Sequence, residues 1–198
     1  MDLDLSDKAR EIVACTRALL AVGGYHSFSY ADISAAVHIS KPSIHHHFPS
    51  KAELVQTVVA VYREEARVGI TKLNQHARGP LEQLKGYTNF WSTCLRNRDT
   101  SFCVCAMLAT ELPTLPSQVA TEVRGHFADL TEWVTKVLTL GAAEAVFILQ
   151  GSARTEALAL IATVHGAMLS ARAHDDPDVF AEILRPVLRR LTTPASAR

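Results

Sequence analysis

The sequence lacks the features that mark an exported or membrane-embedded protein. Its first seven residues carry three Asp and no basic residue, whereas a secretory leader begins with positive charge. The longest uncharged apolar stretch, residues 157–171, is shorter than the roughly 18 residues that a membrane span requires. Four cysteines in 198 residues are too few for a disulfide framework. We therefore expect a soluble, cytoplasmic protein with no membrane partner.

An excess of charge of one sign is also missing, because 20 Lys and Arg balance 20 Asp and Glu. This balance excludes a polybasic tail, and the 48% of hydrophobic residues indicates an ordinary globular chain. No nucleophile with a base, paired carboxylates, phosphate-binding glycine loop or metal-spaced ligand set is evident. The Cys103-Val104-Cys105 segment has no second cysteine pair or neighbouring histidine, so it is a weak zinc signal. We predict that the chain is not an enzyme and has no cofactor or metal site.

Helical spacing recurs along the whole chain, and no alternating run is long enough to predict a strand. The sequence therefore predicts an all-α fold. Apolar residues at helical intervals place Ile12, Cys15, Leu19 and Val22 on one face of a first helix, which Gly23 and Gly24 would end. The further predicted helices cover residues 29–37, 41–47, 51–78, 84–94, 102–112, 119–137, 155–173 and 178–191.

Capping signals mark the beginnings of three of these helices. Ser29 and Asp32 have the spacing of a capping box, and Ser50 with Glu53 has it again at the start of a long helix. Pro42 lies in the first turn of the helix 41–47, where its missing N–H costs nothing. In the helix 29–37 the predicted inward face carries Ile33, Ala36 and Val37.

The two short helices 29–37 and 41–47 follow a longer packing helix and are joined by a tight turn, as in a helix-turn-helix. If Ile44 is the inward anchor of the second short helix, steps of 100° per residue define its outer side. That outer side carries Pro42, His45 and His46, with Ser43 at its flank.

This segment suits DNA binding because of where its charged residues lie, and not because the net charge of the N-terminal region is positive. Residues 1–55 hold five Lys and Arg against six Asp and Glu, so the usual basic footprint is absent. However, no Asp or Glu occurs between Ile33 and Pro49, and such a helix enters a major groove without bringing a carboxylate near phosphate. Lys51 begins the following helix, where exposed N–H groups and a cation together favour a phosphate.

The stretches SYADISAAV at 29–37 and ISKPSIHHHFPSKAEL at 39–54 resemble the TetR family of transcriptional regulators. The family usually has Gly where His38 stands, so we expect this residue near positive φ. It usually has Tyr where His45 stands, at a position that commonly bonds a phosphate. The resemblance, together with the helix-turn-helix pattern, assigns DNA contacts to Ser29, Tyr30, Lys41, Pro42, Ser43, His45, His46, His47 and Lys51.

The resemblance also implies the organisation of the chain. Residues 1–54 would form a three-helix DNA-binding domain, and residues 55–198 a helical ligand-binding and dimerisation domain. The last two helices favour a homodimer, because the first of them is apolar nearly all round. Leu158, Ile161, Val164 and Met168 are predicted to lie on one side of it. The expected function is a ligand-responsive repressor that binds a palindrome-like operator.

An apolar cavity is implied among the middle helices of such a domain. Its predicted lining is Tyr87, Trp91, Cys94, Cys103, Met107, Phe127 and Leu130, although each of these, like Trp133, also fits a plain core position. Since no Lys or Arg lies on these faces, we expect an apolar or aromatic effector, unless Arg96, Arg98 or Arg124 turns inward.

Two segments allow other interpretations. The three consecutive histidines at 45–47 suggest a metal, but neighbours on a helix point 100° apart and cannot converge on one ion. Residues 102–111 resemble the start of the sixth helix in relatives where a cysteine senses electrophiles or oxidants. Cys103 near a helix N-terminus would then be reactive, and the alternative is a small buried hydrophobic residue.

Overall fold

The computed structural model describes residues 5–97 and 102–192, and within these ranges it contains helices and no strand. The predicted all-α fold is confirmed. Two short 3₁₀ helices, Tyr25–Ser27 and Leu112–Thr114, were not expected from the sequence. The α-helices in these ranges are α1 Asp7–Gly23, α2 Tyr30–Val37, α3 Lys41–His47, α4 Lys51–His76, α5 Pro80–Asn97, α6 Val104–Ala109, α7 Ser117–Ala143, α8 Ala153–Ala173 and α9 Asp178–Thr192.

The ends of the N-terminal helices follow the capping residues. The Ser29 side chain caps α2, and Asp32 completes the predicted capping box by accepting from the Ser29 backbone N–H at 2.7 Å. Gly24 ends α1 with φ 80°, a value in the region that favours glycine. His38 ends α2 in the left-handed region at φ 55°, which confirms the strained turn expected there.

The described residues fall into two compact units. The first comprises the described residues within Met1–Val68 and Phe102–Phe127, and the second comprises those within Gly69–Ser101 and Ala128–Arg198. The first unit therefore holds α1 to α3, most of α4, α6 and the first part of α7. The division into domains at residue 54 stays a prediction.

The core of the first unit is formed by apolar side chains from each of these helices. Its completely or almost completely buried members include Ile12, Leu20, Ile33, Ile44, Leu54, Val58, Leu108, Val119 and Val123. Two predicted faces are wrong in detail. Val22 is 73% exposed, because the inward face of α1 runs through Val13, Thr16 and Leu20 instead, and Ala36 is exposed on α2.

The core of the second unit is formed by α5, the end of α7, α8 and α9. It includes the buried residues Leu84, Trp91, Leu138, Val164, Met168 and Phe180. Gly141 lies inside α7, and the ring of Phe147 occupies the space that a Cβ at this position would fill. On α8, Leu158 does not share the predicted face: Ile161 is 5% exposed within the chain, whereas Leu158 is 48% exposed.

Candidate DNA-binding and effector-binding sites

The helix α3 presents the outer side that the sequence predicts. Ile44 is completely buried, whereas Pro42, His45 and His46 are exposed and Ser43 is half-buried at the flank. The Ser40 hydroxyl caps this helix by accepting from the Ser43 backbone N–H at 3.3 Å. The outer surface of α3 therefore consists of lysine, proline, serine and histidine side chains.

The turn between α2 and α3 is held by a side chain of α2. The Ser34 hydroxyl donates to the Ile39 carbonyl oxygen at 2.5 Å, directly after the left-handed His38. This bond and the buried Ile33 and Val37 fix α2 against the turn. The angle between the two short helices is thus set by local contacts.

Tyr30 is bound within the chain. Its hydroxyl donates to the Phe48 carbonyl oxygen at 2.8 Å, and its ring lies 4.6 Å from the ring of His45. Burial, with a contribution from Glu53, raises the pKa of Tyr30 to about 12. His45 also has a nitrogen 3.2 Å from the Pro49 carbonyl oxygen. Tyr30 therefore remains neutral and orients the predicted contact residue beside it.

The Lys51 side chain makes several contacts within its own chain. Its ammonium donates to the Phe28 carbonyl oxygen and lies 4.0 Å from the centre of the Phe28 ring and 4.8 Å from that of Tyr25. Burial lowers the pKa of Lys51, and the neighbouring Glu111 opposes this shift. An ammonium has three N–H donors, so Lys51 retains donors for a phosphate.

The three consecutive histidines do not assemble a metal site in the described part of the chain, where no group of three metal-ligating side chains converges. His45 and His46 are exposed and His47 is half-buried. The remaining predicted DNA contacts, Ser29 and Lys41, are exposed on the same segment. That these residues touch DNA stays a prediction.

The predicted effector residues divide between the two units. In the second unit, Tyr87, Trp91 and Leu130 are buried and Cys94 is half-buried. In the first unit, Cys103 is buried while Met107 and Phe127 are half-buried. That these side chains line one cavity therefore stays a prediction.

The second unit contains a hydrogen-bond network of three side chains that was not predicted from the sequence. The indole N–H of the buried Trp133 donates to Asn74 Oδ1 at 3.0 Å, and Gln83 Nε2 donates to the same oxygen at 3.1 Å. Because indole is only a donor, Asn74 must present its oxygen and Gln83 its amide group. Gln83 Oε1 and the indole N–H of Trp91 are buried without a hydrogen-bond partner among the described residues.

Cys103 and Cys105 lie in closed surroundings. Cys103 is completely buried, and the Tyr62 hydroxyl donates to its sulfur at 3.3 Å. The hydrogen bond with Cys103 and burial raise the pKa of the Cys105 thiol well above its ordinary value. Because Cys103 is completely buried and its neighbour Cys105 is kept in the unreactive thiol form, the electrophile-sensing alternative at Cys103 gains no support.

The arginines near the predicted effector residues face away where they are described. Arg96 forms an ion pair with Asp178 at 2.6 Å, in which both side chains are more than half exposed. Arg124 is exposed, and Arg98 lies outside the described residues. Arg96 and Arg124 therefore supply no buried counter-charge. Arg63 is largely buried, and Glu122 already pairs with it at 2.6 Å.

The helix α8 has a second, outward apolar face. Leu158 and Leu169 are 48% and 59% exposed. The exposed residues between them are Ala159, Ala162 and Gly166, and Ala173 and Arg172 are exposed after Leu169. Spacings of three, four and seven residues place this set along one stripe of the helix.

None of the helices within residues 5–97 and 102–192 combines the length and the apolar character needed to cross a bilayer.

Two family models match the chain. Residues 12–58 match the bacterial regulatory proteins of the tetR family, and residues 80–187 match the tetracyclin repressor-like C-terminal domain. No curated protein matches the chain at a significant level.

Solved structures match nearly the full length. The chain is 52% identical to a TetR family transcriptional regulator from Agrobacterium tumefaciens, covering 94% of this chain and 98% of that chain, with a TM-score of 0.92. A TetR regulator from Legionella pneumophila shares 24% identity over 96% of this chain and all of its own, with a TM-score of 0.84. The reduced form of E. coli NemR shares 17% identity over 96% and 100% of the two chains, with a TM-score of 0.82. The latter two show the fold.

Proposed function

Because this chain belongs to the TetR family of bacterial transcriptional regulators, we propose that it is a ligand-responsive repressor released from its operator by a small molecule. The observation that carries this proposal is the outer side of α3, which is exposed. The sequence around it, from Ile33 to Pro49, contains no Asp or Glu. This proposal assigns no reaction and no cofactor to the chain, and it places the protein in the cytoplasm.

The proposed DNA surface combines base and phosphate contacts. The exposed N-terminal part of α3 would enter the major groove, and the N-terminus of α4 with Lys51 would meet a phosphate. The full set of proposed contacts is Ser29, Tyr30, Lys41, Pro42, Ser43, His45, His46, His47 and Lys51. Tyr30 contributes through its ring and its position beside His45, since its hydroxyl already donates to Phe48.

We propose that the protein is a homodimer through α8 and α9. The outward stripe of α8 supports this, because Leu158 and Leu169 would otherwise remain in water beside alanine and glycine. Small residues between two leucines allow the same helix of a second copy to approach closely. Two-fold symmetry of the protein then requires two-fold related half-sites in the DNA.

We propose an uncharged apolar or aromatic effector. The exposed Arg96 and Arg124 support this, and the largely buried Arg63 is already paired with Glu122, so a buried carboxylate would have to compete for its counter-charge. The indole N–H of Trp91 is buried without an acceptor in the described ranges, so an effector with one hydrogen-bond acceptor would satisfy it. The effector would release DNA through its higher affinity for a conformation in which the recognition helices are wrongly spaced.

The first experiment is selection of duplexes from a random-sequence DNA library by the full-length protein. We expect a palindrome-like consensus, bound by one dimer with a steep dependence on salt. A screen by thermal shift would then compare hydrophobic drugs and dyes with small organic acids, and hits would be tested for release of the selected duplex. Failure to enrich any sequence would overturn the repressor proposal. A shift of several degrees from acids alone, abolished by replacing Arg96 or Arg124, would overturn the apolar effector.

A further inference from the structure

Glu111 makes contacts with a distant part of the first unit that the proposed DNA and effector sites do not explain. It follows α6, and its carboxylate accepts two backbone N–H groups from a segment 85 to 86 residues away. Oε2 accepts from Tyr25 at 2.6 Å and Oε1 from His26 at 3.4 Å. These residues begin the 3₁₀ helix Tyr25–Ser27, where N–H groups have no partner within the helix. The carboxylate therefore caps the connection between α1 and α2.

The backbone is shaped to admit this carboxylate. Gly24 has φ 80°, and a Cβ added there would overlap the Glu111 side chain. A second link lies beside it, since a ring nitrogen of His26 is 3.3 Å from the Thr114 hydroxyl. We call the bonds from Glu111 to Tyr25 and His26 the Glu111 clasp.

The clasp lies next to the beginning of the helix-turn-helix. Only Phe28 and the capping residue Ser29 separate the 3₁₀ helix from α2. The Phe28 carbonyl oxygen accepts from Lys51, the first residue of α4, and the charge of Glu111 favours the protonated form of Lys51. The segment after α6 is thereby bonded to the connection in front of α2, and its charge acts on Lys51 at the start of α4.

We propose that Glu111 is a positioning residue for DNA binding, which holds the connection in front of α2 so that α2 and α3 take the DNA-competent position. The inference rests on the proposed function and adds the point at which the segment 104–114 controls it. A displacement of this segment opens the clasp and releases the α1–α2 connection. DNA binding then depends on a carboxylate that does not touch DNA.

The variant Glu111→Gln tests the clasp. Two N–H donors need two acceptor oxygens, and a glutamine amide offers one oxygen and one donor group that would face a backbone N–H. We expect affinity for the duplex selected by the wild-type protein to fall about tenfold, which corresponds to the loss of one good hydrogen bond. The loss of a negative charge alone would instead raise the affinity for DNA, so the two explanations predict opposite changes. The salt slope should stay unchanged, since no phosphate contact is lost.

The matched control is Glu11→Gln, which removes the same charge from the exposed surface of α1, where Glu11 pairs with Lys8. Its affinity for DNA should equal or slightly exceed that of the wild type. Hydrogen exchange provides the second readout: the amides of Tyr25 and His26 should exchange faster in Glu111→Gln and not in Glu11→Gln. In both variants, the fraction of protein able to bind DNA is first measured with excess duplex, and the affinity is calculated for that fraction. A loss of folded protein alone would therefore not change the affinity.

A measurement on the wild-type protein covers the case in which Glu111→Gln does not fold. Adding the duplex should slow exchange of the Tyr25 and His26 amides, because DNA binding and clasp closure favour the same state. Unaltered exchange on DNA binding would overturn the inference, as would Glu111→Gln binding as tightly as the wild type. If the wild-type protein selects no duplex, the proposed function falls and this inference falls with it.

Discussion

Lys51 offers the sharpest test of how this protein meets DNA. Replacing it with Ala removes an ammonium that donates to Phe28 and retains donors for a phosphate. Each phosphate contact adds about 0.9 to the slope of log affinity against log salt. A dimer carries two such lysines, so the slope should flatten by about one unit for each half-site. Between ~50 and ~200 mM salt, the wild type should lose roughly 12-fold more affinity than Lys51→Ala.

The same substitution also affects stability. The bond to Phe28 and the position over two aromatic rings contribute about 1–2 kcal/mol, at the lower end because Lys51 is only half-buried. For a chain of this size Tm should fall by roughly 2–6 °C. Two controls separate the effects: Lys41→Ala, at an exposed predicted contact, should flatten the slope without changing Tm. Lys8→Ala, away from the proposed surface, should leave the slope unchanged.

Filter binding or fluorescence anisotropy over a salt series gives the slopes, and differential scanning fluorimetry gives Tm. The reasoning is refuted if Lys51→Ala keeps the wild-type slope while Tm falls. Lys51 would then serve the fold alone, and the phosphate at the N-terminus of α4 would be bound by backbone N–H groups.

Three further substitutions test other parts of the structure. Leu169→Glu puts an unpaired charge into the proposed dimer face, so light scattering should show folded monomers, whereas Val22→Glu, at an exposed site elsewhere, should stay dimeric. Asn74→Leu removes the acceptor of the Trp133 indole N–H and should cost about 1 kcal/mol in denaturant unfolding, because Asn74 is exposed and water can replace it in part, whereas Asn74→Asp keeps the acceptor and should cost less. Hydrogen bonds at the start of α2 lower the pKa of Asp32, so its contribution to stability is present above pH ~4 and is lost as the pH falls below that value; Asp32→Asn should be less sensitive to acid in this range.

The stretch from residue 29 to 54 was predictable because its determinants are local. The capping residues, Pro42 and the left-handed turn at His38 act within a few positions of themselves. The inward face of α3 followed from Ile44 alone, since a helix of two turns has few ways to bury one residue.

Faces that depend on partners elsewhere in the chain were harder. The predicted face of α1, with Ile12, Cys15, Leu19 and Val22, is as apolar as the face that α1 buries. The residues that pack against the helix determine which of the two faces is buried. Ile161 was expected at a dimer interface but lies inside its own chain. A periodic pattern shows that a face is apolar and leaves open what covers it.

Contacts between distant side chains had no signal at all in the sequence. Glu111 lies 86 residues from Tyr25, and Trp133 lies 59 residues from Asn74. The effector residues came from resemblance to a family, and their common lining stays a prediction.

The division of the chain bears on how mutations act. The boundary between the compact units falls inside α4, and the second unit receives only residues 69–76 of that helix, roughly two turns. Such a piece does not hold its helical form alone in water. The second part of α7 is likewise continuous with the first unit. A genetic screen for loss of the proposed repression should therefore recover substitutions in the described part of the second unit as well as in α3, because weakening either unit lowers the amount of folded protein available in the cell.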